Sequence, residues 1–400
     1  MADRARGWLL PESDRLEVAE WFAGRARSVD RLEEPAQAGL GMLASRGLLS
    51  RGVPTELGGD GGSLEEMAEV IATVAGSCLT SAFVLWCHRM FLEYVSKSGN
   101  PFLISEVLPR ALRVERLGAT GLANAMKHLA SLEELKVTAT PRDGGYVLAG
   151  RLPWVSNLVD DRFIVAVAAR TEGAIALVAV PGDTPGVSCG PRFPLFGLEG
   201  TASAALEFHA VQLDLKWVIA QDGQAFLARV RPAFLILQSA LAWGLAESAL
   251  ASIVAKLSGP RLVLEREVKL LDRTLDRLVG ELRELVRAFA GQERGDGVRR
   301  APDGQGARGD VMYRALKVRK ELAELAVQAV WLELEAAGGA GYLSASDTAR
   351  RLREAAFFPV QSPSLVQLRT ELAQYEAALA FQADAAAWEG APSLGKEGAL

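Results

Sequence analysis

The apolar positions of this 400-residue chain fall into three successive regimes. Over residues 11–50 they recur at near-helical spacing: Leu16, Ala19, Trp21 and Phe22, then Leu40, Leu43 and Leu49, which predicts two helices. RGVPTELGGDGG (51–62) breaks the pattern with glycines and a proline and is expected as a loop. Ser63 followed by Glu66 has the spacing of a capping box. The helix it opens, and the next one containing SAFVLWCHRMFLEYV, are apolar on more than one face and must be buried. From about residue 116 the period changes. LEELKVTATPRDGGYVLAGRLPWVSN, DRFIVAVAAR, GAIALVAVP and SAALEFHAVQL are alternating or β-branched runs, separated by RDGG, TEG and PGDTPG, which are turn compositions. Several short strands in so short a span suggest a small barrel or sandwich. After about residue 222 the chain returns to helix. Leu264, Val268, Leu271, Leu275, Leu278, Leu282 and Leu285 alternate steps of four and three, a heptad seam, with Glu265 and Lys269 placed to pair on the exposed face. The glycine-rich, polar stretch 291–310 is expected as a loop, and helices resume at about 311, break at AGGAGY (337–342) and run on to about 388. The expected fold is α+β and mainly α. It comprises a helical N-terminal domain (1–115), a small middle β-barrel or sandwich domain (116–222) and a C-terminal four-helix bundle (223–400).

Half the residues are hydrophobic and 23% are charged, a globular composition, and the formal net charge of −5 argues against general binding to nucleic acid or anionic membranes. Cys78, Cys87 and Cys189 form no CxxC pair, so neither a disulfide framework nor a zinc site is expected and a reducing compartment fits. His88, His128 and His209 are isolated and lack metal-ligand spacing. The most apolar stretch, from Ala233, is interrupted by Gln238, Ser239 and Glu247 and reads as a buried core helix rather than a bilayer span. The N-terminus lacks an apolar signal segment, and a cytoplasmic location is the expectation. A long seam-bearing helix offers a large apolar face of the kind that makes oligomers, so a homodimer or homotetramer is expected.

Candidate chemistry centres on YVLAGRLPWVSN (146–157). An apolar run ends with an aromatic ring and a hydroxyl close together, which suits a flat ligand needing a wall and a hydrogen-bond donor. Taken alone, the stretch reads first as a half-buried strand with one core tryptophan. No GxSxG, HExxH or phosphate-loop GK[ST] is present, and AGGAGY follows a helix, so its glycines are expected to cap and turn rather than cradle a pyrophosphate.

The order of parts resembles the acyl-CoA dehydrogenase superfamily of flavoproteins, and the resemblance covers nearly the whole chain. VPTELGGDGGSLEEMAEVIATVA is similar to that family's early loop and helix. GYVLAGRLPWVSNLVDDRFIVAVAA is similar to its flavin-wall strand, and FPLFGLEGTASAALEFHAVQL to the strands that close its β-domain. GGAGYLSASDTARRLRE is similar to its C-terminal motif, with Gly338, Gly339, Gly341, Tyr342, Arg350 and Arg353 in register and Glu354 where an aspartate is usual. The resemblance implies FAD as cofactor, an acyl-CoA or other acyl-thioester substrate, and an electron-transfer or reductase partner. It places Trp154 and Ser156 against the isoalloxazine, Ser156 bonding near its reactive nitrogen. It puts Arg261 at the flavin pyrophosphate across a subunit interface, although Leu264-Glu265 stands where the family has phenylalanine-glycine. Gly338 and Gly339 belong to the cofactor set, with Glu335 in place of a glutamine. The TEP flavin-loop motif is absent; the region reads GLANAMKHLAS, with Asn124 the nearest polar substitute.

The largest departure concerns the base. In the family a glutamate removes the α-proton of the thioester, a role open to a carboxylate because burial strengthens it as a base. Its usual position falls at Ser362, beside Gln361, and the earlier-helix alternative falls at Phe234. Glu247 or Glu371 are the candidate relocated carboxylates. Three functions are then open: an acyl-thioester dehydrogenase with its base displaced; a two-component flavin monooxygenase using reduced FMN from a reductase, with His88 as acid or base; or an inactive protein on the same fold.

Overall fold

The computed structural model describes residues 7–294 and 306–389. Helices α1 (Glu12–Ala23), α2 (Ala26–Asp30), α3 (Ala38–Ser45), α4 (Leu64–Ser77), α5 (Leu79–Ser96) and the short α6 (Leu108–Leu112) form an N-terminal layer. In α1 the buried pair is Val18 and Phe22, one turn apart, while Leu16 lies out at 63% exposure, so the helix is as expected but turned on its axis. The capping box opens α4: the Glu66 N–H donates to Ser63 Oγ (3.1 Å) and the Ser63 N–H to Glu66 Oε2 (2.6 Å). Every residue of α5 from Leu79 to Val95 is buried. Its Arg89 is tolerated there because Nη1 meets Glu93 (2.8 Å) and Nε meets the Arg51 carbonyl (3.1 Å).

The strands come next: β1 (Leu117–Thr120), then, after helix α7 (Ala123–Leu129), β2 (Val137–Arg142), β3 (Gly145–Val155), β4 (Phe163–Arg170), β5 (Ile175–Pro181), β6 (Val187–Cys189), β7 (Ala204–Asp214) and β8 (Val218–Ala220). They pair as one mixed sheet in the order β6-β7-β3-β2-β4-β5-β8, with β1 parallel to β4; the path ends at β6 and β8, so no barrel closes. β4 is buried on both faces. Val165, Val167 and Ala169 enter a core internal to the sheet, and Ile164, Ala166 and Ala168 join the helical core. The β3–β7 pairing slips twice, between Leu148 and Gly150 and between Leu152 and Val155. Gly150 is required at the first slip, because at φ 132° a Cβ would stand 2.2 Å from the Lys136 carbonyl oxygen. Such bulges bend a strand and re-aim the side chains near its end, here Trp154 and Ser156.

The C-terminal bundle consists of α8 (Gly223–Val254), α9 (Glu265–Arg294), α10 (Gly306–Ala337) and α12 (Leu365–Glu389), with the short α11 (Asp347–Ala355) between the last two. Helix α8 is long and apolar enough to cross a membrane, yet 89% of its most apolar window is buried inside the protein, against α4, α5, α9 and α10. The seam residues Val268, Leu271, Leu275, Leu278, Leu282 and Leu285 are all buried, and α9 packs on α8 and α10. The face expected to make oligomers is therefore consumed within the chain. Leu264 falls in the 3-10 turn before α9, and Lys269 Nζ meets Glu265 at 2.7 Å. Of the stretch expected as a loop at 291–310, α9 takes the residues up to Arg294 and α10 those from Gly306, and the remainder lies outside the described residues.

Helices α4 and α8 cross closely. A Cβ at Gly244 would sit 1.9 Å from the Ala72 carbonyl oxygen, whereas one at Gly280, on the outer face of α9, would meet nothing. Gly244→Ala is expected to lower stability in urea unfolding by about 3 kcal/mol, since backbone must move. Gly280→Ala is expected to raise it by about 0.5–1 kcal/mol through helix propensity alone.

Candidate functional site

Trp154 is exposed near the end of β3 and Ser156, half-buried, follows the strand's buried last residue Val155, so exposure alternates from Trp154 to the buried Asn157. The indole is 57% exposed and leans on the Phe193 ring at 4.3 Å between centroids. It is thus an open aromatic surface and not the core tryptophan of the simpler reading. Ser156 Oγ lies 2.7 Å from Ser203 Oγ, which lies 2.8 Å from Thr201 Oγ1, which donates to the Leu198 carbonyl at 2.7 Å. The next residue, Asn157, is buried in the left-handed region at φ 67°. Its N–H donates to Thr201 O (2.8 Å), its Oδ1 accepts from Gln37 Nε2 (3.1 Å) and its Nδ2 donates to Gly118 O (2.9 Å). Leu198 (φ 61°) and Ala202 (φ 51°) are left-handed too. Non-glycine residues hold such conformations only where their surroundings enforce them, and they gather at sites that must be shaped. Asn157, Phe193, Thr201 and Ser203 were not among the candidates from sequence. The available signal was Asn157 itself, since asparagine tolerates the left-handed region.

The segment between α11 and α12 carries the expected base position. Ser362 offers no base: its carbonyl accepts from Gln238 Nε2 (2.9 Å) and its hydroxyl faces the Ala123 carbonyl (3.4 Å). Gln361 Oε1 accepts from Arg319 Nη2 (2.6 Å), and Arg319 Nε donates to Gln238 Oε1 (2.9 Å). Burial without a carboxylate partner pulls the Arg319 guanidinium down to about 9. Phe234, the alternative base position, is buried edge-on to Trp86 (4.8 Å), which stacks on Phe83 (5.4 Å). Of the relocated carboxylates, Glu371 is a buried partner of Arg231 Nη2 (2.7 and 2.6 Å) and accepts from Gln367 Nε2 (2.9 Å). Glu247 stands about 20 Å along α8 from Phe234, thirteen residues at 1.5 Å each.

Two further candidates are committed elsewhere. Asn124 is buried, with Oδ1 accepting from the Lys136 N–H (2.9 Å) and Nδ2 donating to the Glu134 carbonyl (2.9 Å) and Glu133 Oε2 (3.2 Å). It closes the α7–β2 loop, with both amide protons committed there. His88 is fully buried. Its Nδ1 accepts from the Gly118 N–H (2.9 Å), which leaves Nε2 to donate to the Ala111 carbonyl (3.1 Å). Both nitrogens are used, so it is a core histidine and not an acid or base at an open site.

Arg261 and the glycine motif do come together, at the end of α10. Arg261 Nε donates to the Ala336 carbonyl (2.7 Å), next to the 3-10 turn Gly338–Tyr342. Gly338 has φ 61°, the left-handed helix end expected of it, and a Cβ on Gly338 or Gly339 would meet only open space. Glu335 is exposed one turn earlier. The rest of the motif is structural: Arg350 Nη1 grips Glu354 (3.0 Å to both oxygens), Glu354 caps the Leu79 N–H (3.2 Å), and Arg353 pairs with Asp30. Among the described residues, no hydrogen bond or ring contact joins this cluster to Trp154 and Ser156.

This layered arrangement of helices, mixed sheet and bundle is shared with known proteins. Residues 15–115 match the family described as acyl-CoA dehydrogenase, N-terminal domain. Benzylmalonyl-CoA dehydrogenase from Aromatoleum aromaticum is 27% identical over 240 residues, 59% of this chain and 63% of that protein. Dibenzothiophene monooxygenase from Rhodococcus qingshengii is 26% identical over 230 residues, 55% of this chain and 54% of that one. The matches thus span little more than half the length of these relatives. The solved structure of butyryl-CoA dehydrogenase from Megasphaera elsdenii superposes with a TM-score of 0.74 at 20% identity, covering 90% of this chain and 97% of its own, which is a likeness of fold. Residues 15–115 thus carry the acyl-CoA dehydrogenase N-terminal domain, and the chain as a whole shares the acyl-CoA dehydrogenase fold.

Burial pushes the His88 imidazole down to about 4 from its ordinary 6.5. A depressed histidine contributes stability that is whole above about pH 6.5 and is lost as pH falls towards 4, because only the unfolded chain takes up the proton. His88→Gln keeps an acceptor and a donor but cannot titrate. Between pH 6.5 and 4 its unfolding free energy is expected to fall less steeply than that of the wild type, by about 1 kcal/mol per pH unit in urea titrations. Parallel slopes would show that His88 is not the titrating group.

Proposed function

We propose that this chain is a flavin-dependent oxidoreductase of the acyl-CoA dehydrogenase type, acting on an acyl thioester without the usual glutamate base. The observation that carries the reading is the exposed Trp154 ring beside the Ser156 hydroxyl at a strand end held by buried bonds. The residues fit a flavin: an open indole offers a wall for a tricyclic ring, and Ser156 places a polar atom two residues on. Arg261 keeps Nη1 and Nη2 unbonded among the described residues, a fork suited to phosphate oxygens, beside a turn that glycine leaves uncovered. A bound flavin, FAD on this reading, would supply two-electron chemistry. The chain's own residues would wall the ring, orient it through Ser156 and keep water from its covered side.

A second reading, a two-component monooxygenase taking reduced FMN from a reductase, is favoured by the fate of the base positions. Ser362 and Gln361 are tied into an amide and guanidinium network, Phe234 is in an aromatic cluster and Glu371 is ion-paired. Loss of a general base typically lowers rate by about 100- to 10,000-fold. A reaction that needs no α-proton abstraction avoids that loss, and the similarity to a monooxygenase is in keeping with it. The inactive-protein reading is retained as an outcome of the test. A homodimer or homotetramer, with an electron-transfer or reductase partner, belongs to the same proposal, as does a cytoplasmic location. Leu262, Val263, Tyr342 and Leu343, exposed at 54%, 81%, 78% and 65% around Arg261, supply the apolar surface for self-association.

A visible spectrum of the purified protein, with FAD or FMN added, is the first test. Flavin retained by the wild type and weakened at least tenfold by Trp154→Ala is the expected result. A colourless protein that takes up neither flavin points to the inactive reading, and unchanged retention in the variant means the wall is elsewhere. Oxygen uptake with supplied reduced flavin then separates the first two readings: a hydroxylated product supports the monooxygenase, peroxide alone the dehydrogenase.

A further inference from the structure

The hydroxyls beside Trp154 run in one direction only. A carbonyl has no proton to give, so Thr201 Oγ1 must be the donor in its 2.7 Å bond to Leu198 O. A threonine hydroxyl has one proton, so towards Ser203, at 2.8 Å, Thr201 can only accept. Ser203 therefore donates to Thr201 and, by the same count, accepts from Ser156 at 2.7 Å. The order Ser156 to Ser203 to Thr201 to Leu198 O uses every proton and leaves Ser156 Oγ with lone pairs alone. Reversal is opposed by burial. Thr201 is 1% and Ser203 6% exposed, so a broken link has no water to replace it. The backbone holds the relay in register, with Leu198 and Ala202 left-handed on either side of Thr201 and the Asn157 N–H on Thr201 O at 2.8 Å.

Ser156 is the relay's half-buried end, two residues on from the exposed Trp154 ring and separated from it by the buried Val155. Whatever lies flat on that ring meets an acceptor at Ser156, contrary to the donor expected from sequence. We propose that the Trp154 face selects a flat heteroaromatic ring presenting an N–H to Ser156, so that the site holds reduced flavin in preference to oxidised flavin. This rests on the flavin reading above. Reduction adds an N–H to the central ring, where the oxidised ring has only a lone pair that would oppose the lone pairs of Ser156. Ser203 is a positioning residue: it sets the direction of the Ser156 proton without touching the ligand.

The test is anaerobic titration of the full chain with FMN and with FAD, each oxidised or reduced by dithionite, following tryptophan fluorescence. The wild type is expected to bind the reduced form at least about tenfold more tightly. Ser203→Ala frees the Ser156 proton to turn towards the ligand, and the preference should fall to near unity or reverse. Ser156→Ala, which removes the acceptor, should abolish the preference. Equal or tighter binding of oxidised flavin by the wild type would overturn the inference and leave the flavin reading standing. Failure to bind either flavin in either state sinks both. The wild-type titrations decide even if a variant does not fold.

Discussion

One buried amide holds the site in place. The side chain and N–H of Asn157 reach three other segments at once: Gln37 at the start of α3, Gly118 in β1 and Thr201 in the loop before β7. The line continues, because the Gly118 N–H donates to His88, which donates to the Ala111 carbonyl. A chain of polar contacts thus runs from the N-terminal helices through the sheet and back into them, in a region with no water to replace any link. Gly118 is held to glycine by the same closeness, since a Cβ there would come 2.4 Å from the Phe91 side chain. The end of β3 has no freedom to drift, and Trp154 and Ser156 are presented from a fixed backbone.

A second buried network does the corresponding work on the bundle side. Arg319, Gln238 and Gln361 tie α10, α8 and the segment before α12 together, while Arg231, Glu371 and Gln367 tie α8 to α12. Gln367 also reaches the Met126 carbonyl (3.1 Å) and Ser362 the Ala123 carbonyl, so α7 is docked onto the bundle. The consequence is chemical as well as mechanical. The positions that would supply a base are occupied by amides, a hydroxyl and an aromatic ring, and the nearby carboxylate is neutralised by an arginine. Such groups fix shape and can orient a ligand, but at neutral pH none removes a carbon-bound proton.

Much of the architecture was legible along the chain. Periodicity of 3.6 and of 2 located the helices and strands, Ser63 and Glu66 announced a cap, and the interruptions at Gln238, Ser239 and Glu247 marked α8 as a core helix. These are local signals, carried by residues within a few turns of one another. The order of helices, sheet and bundle, with GRLPWVSN and GGAGY in sequence, was enough to point to the acyl-CoA dehydrogenase fold. Where local pattern misled, long-range packing had decided. The α9 seam is ambiguous between a partner helix in the same chain and one in another, and α8 and α10 took it. His88 and Asn124 look available until their partners, 23–30 and 9–12 residues away, take both ring nitrogens of the one and both amide protons of the other.

The sequence by itself determined the elements, their order and the apolar faces they must bury, and it put an aromatic ring and a hydroxyl two residues apart on a strand. Only the tertiary structure decided what that pair can do. Trp154 comes to the surface on a strand whose pairing with β7 slips twice. Whether Ser156 donates or accepts depends on Ser203 and Thr201, more than forty residues later and brought within 3 Å by the loop they share. A hydrogen-bond direction is a property of the whole chain of partners, down to the carbonyl that ends it, and no local pattern of residues contains it.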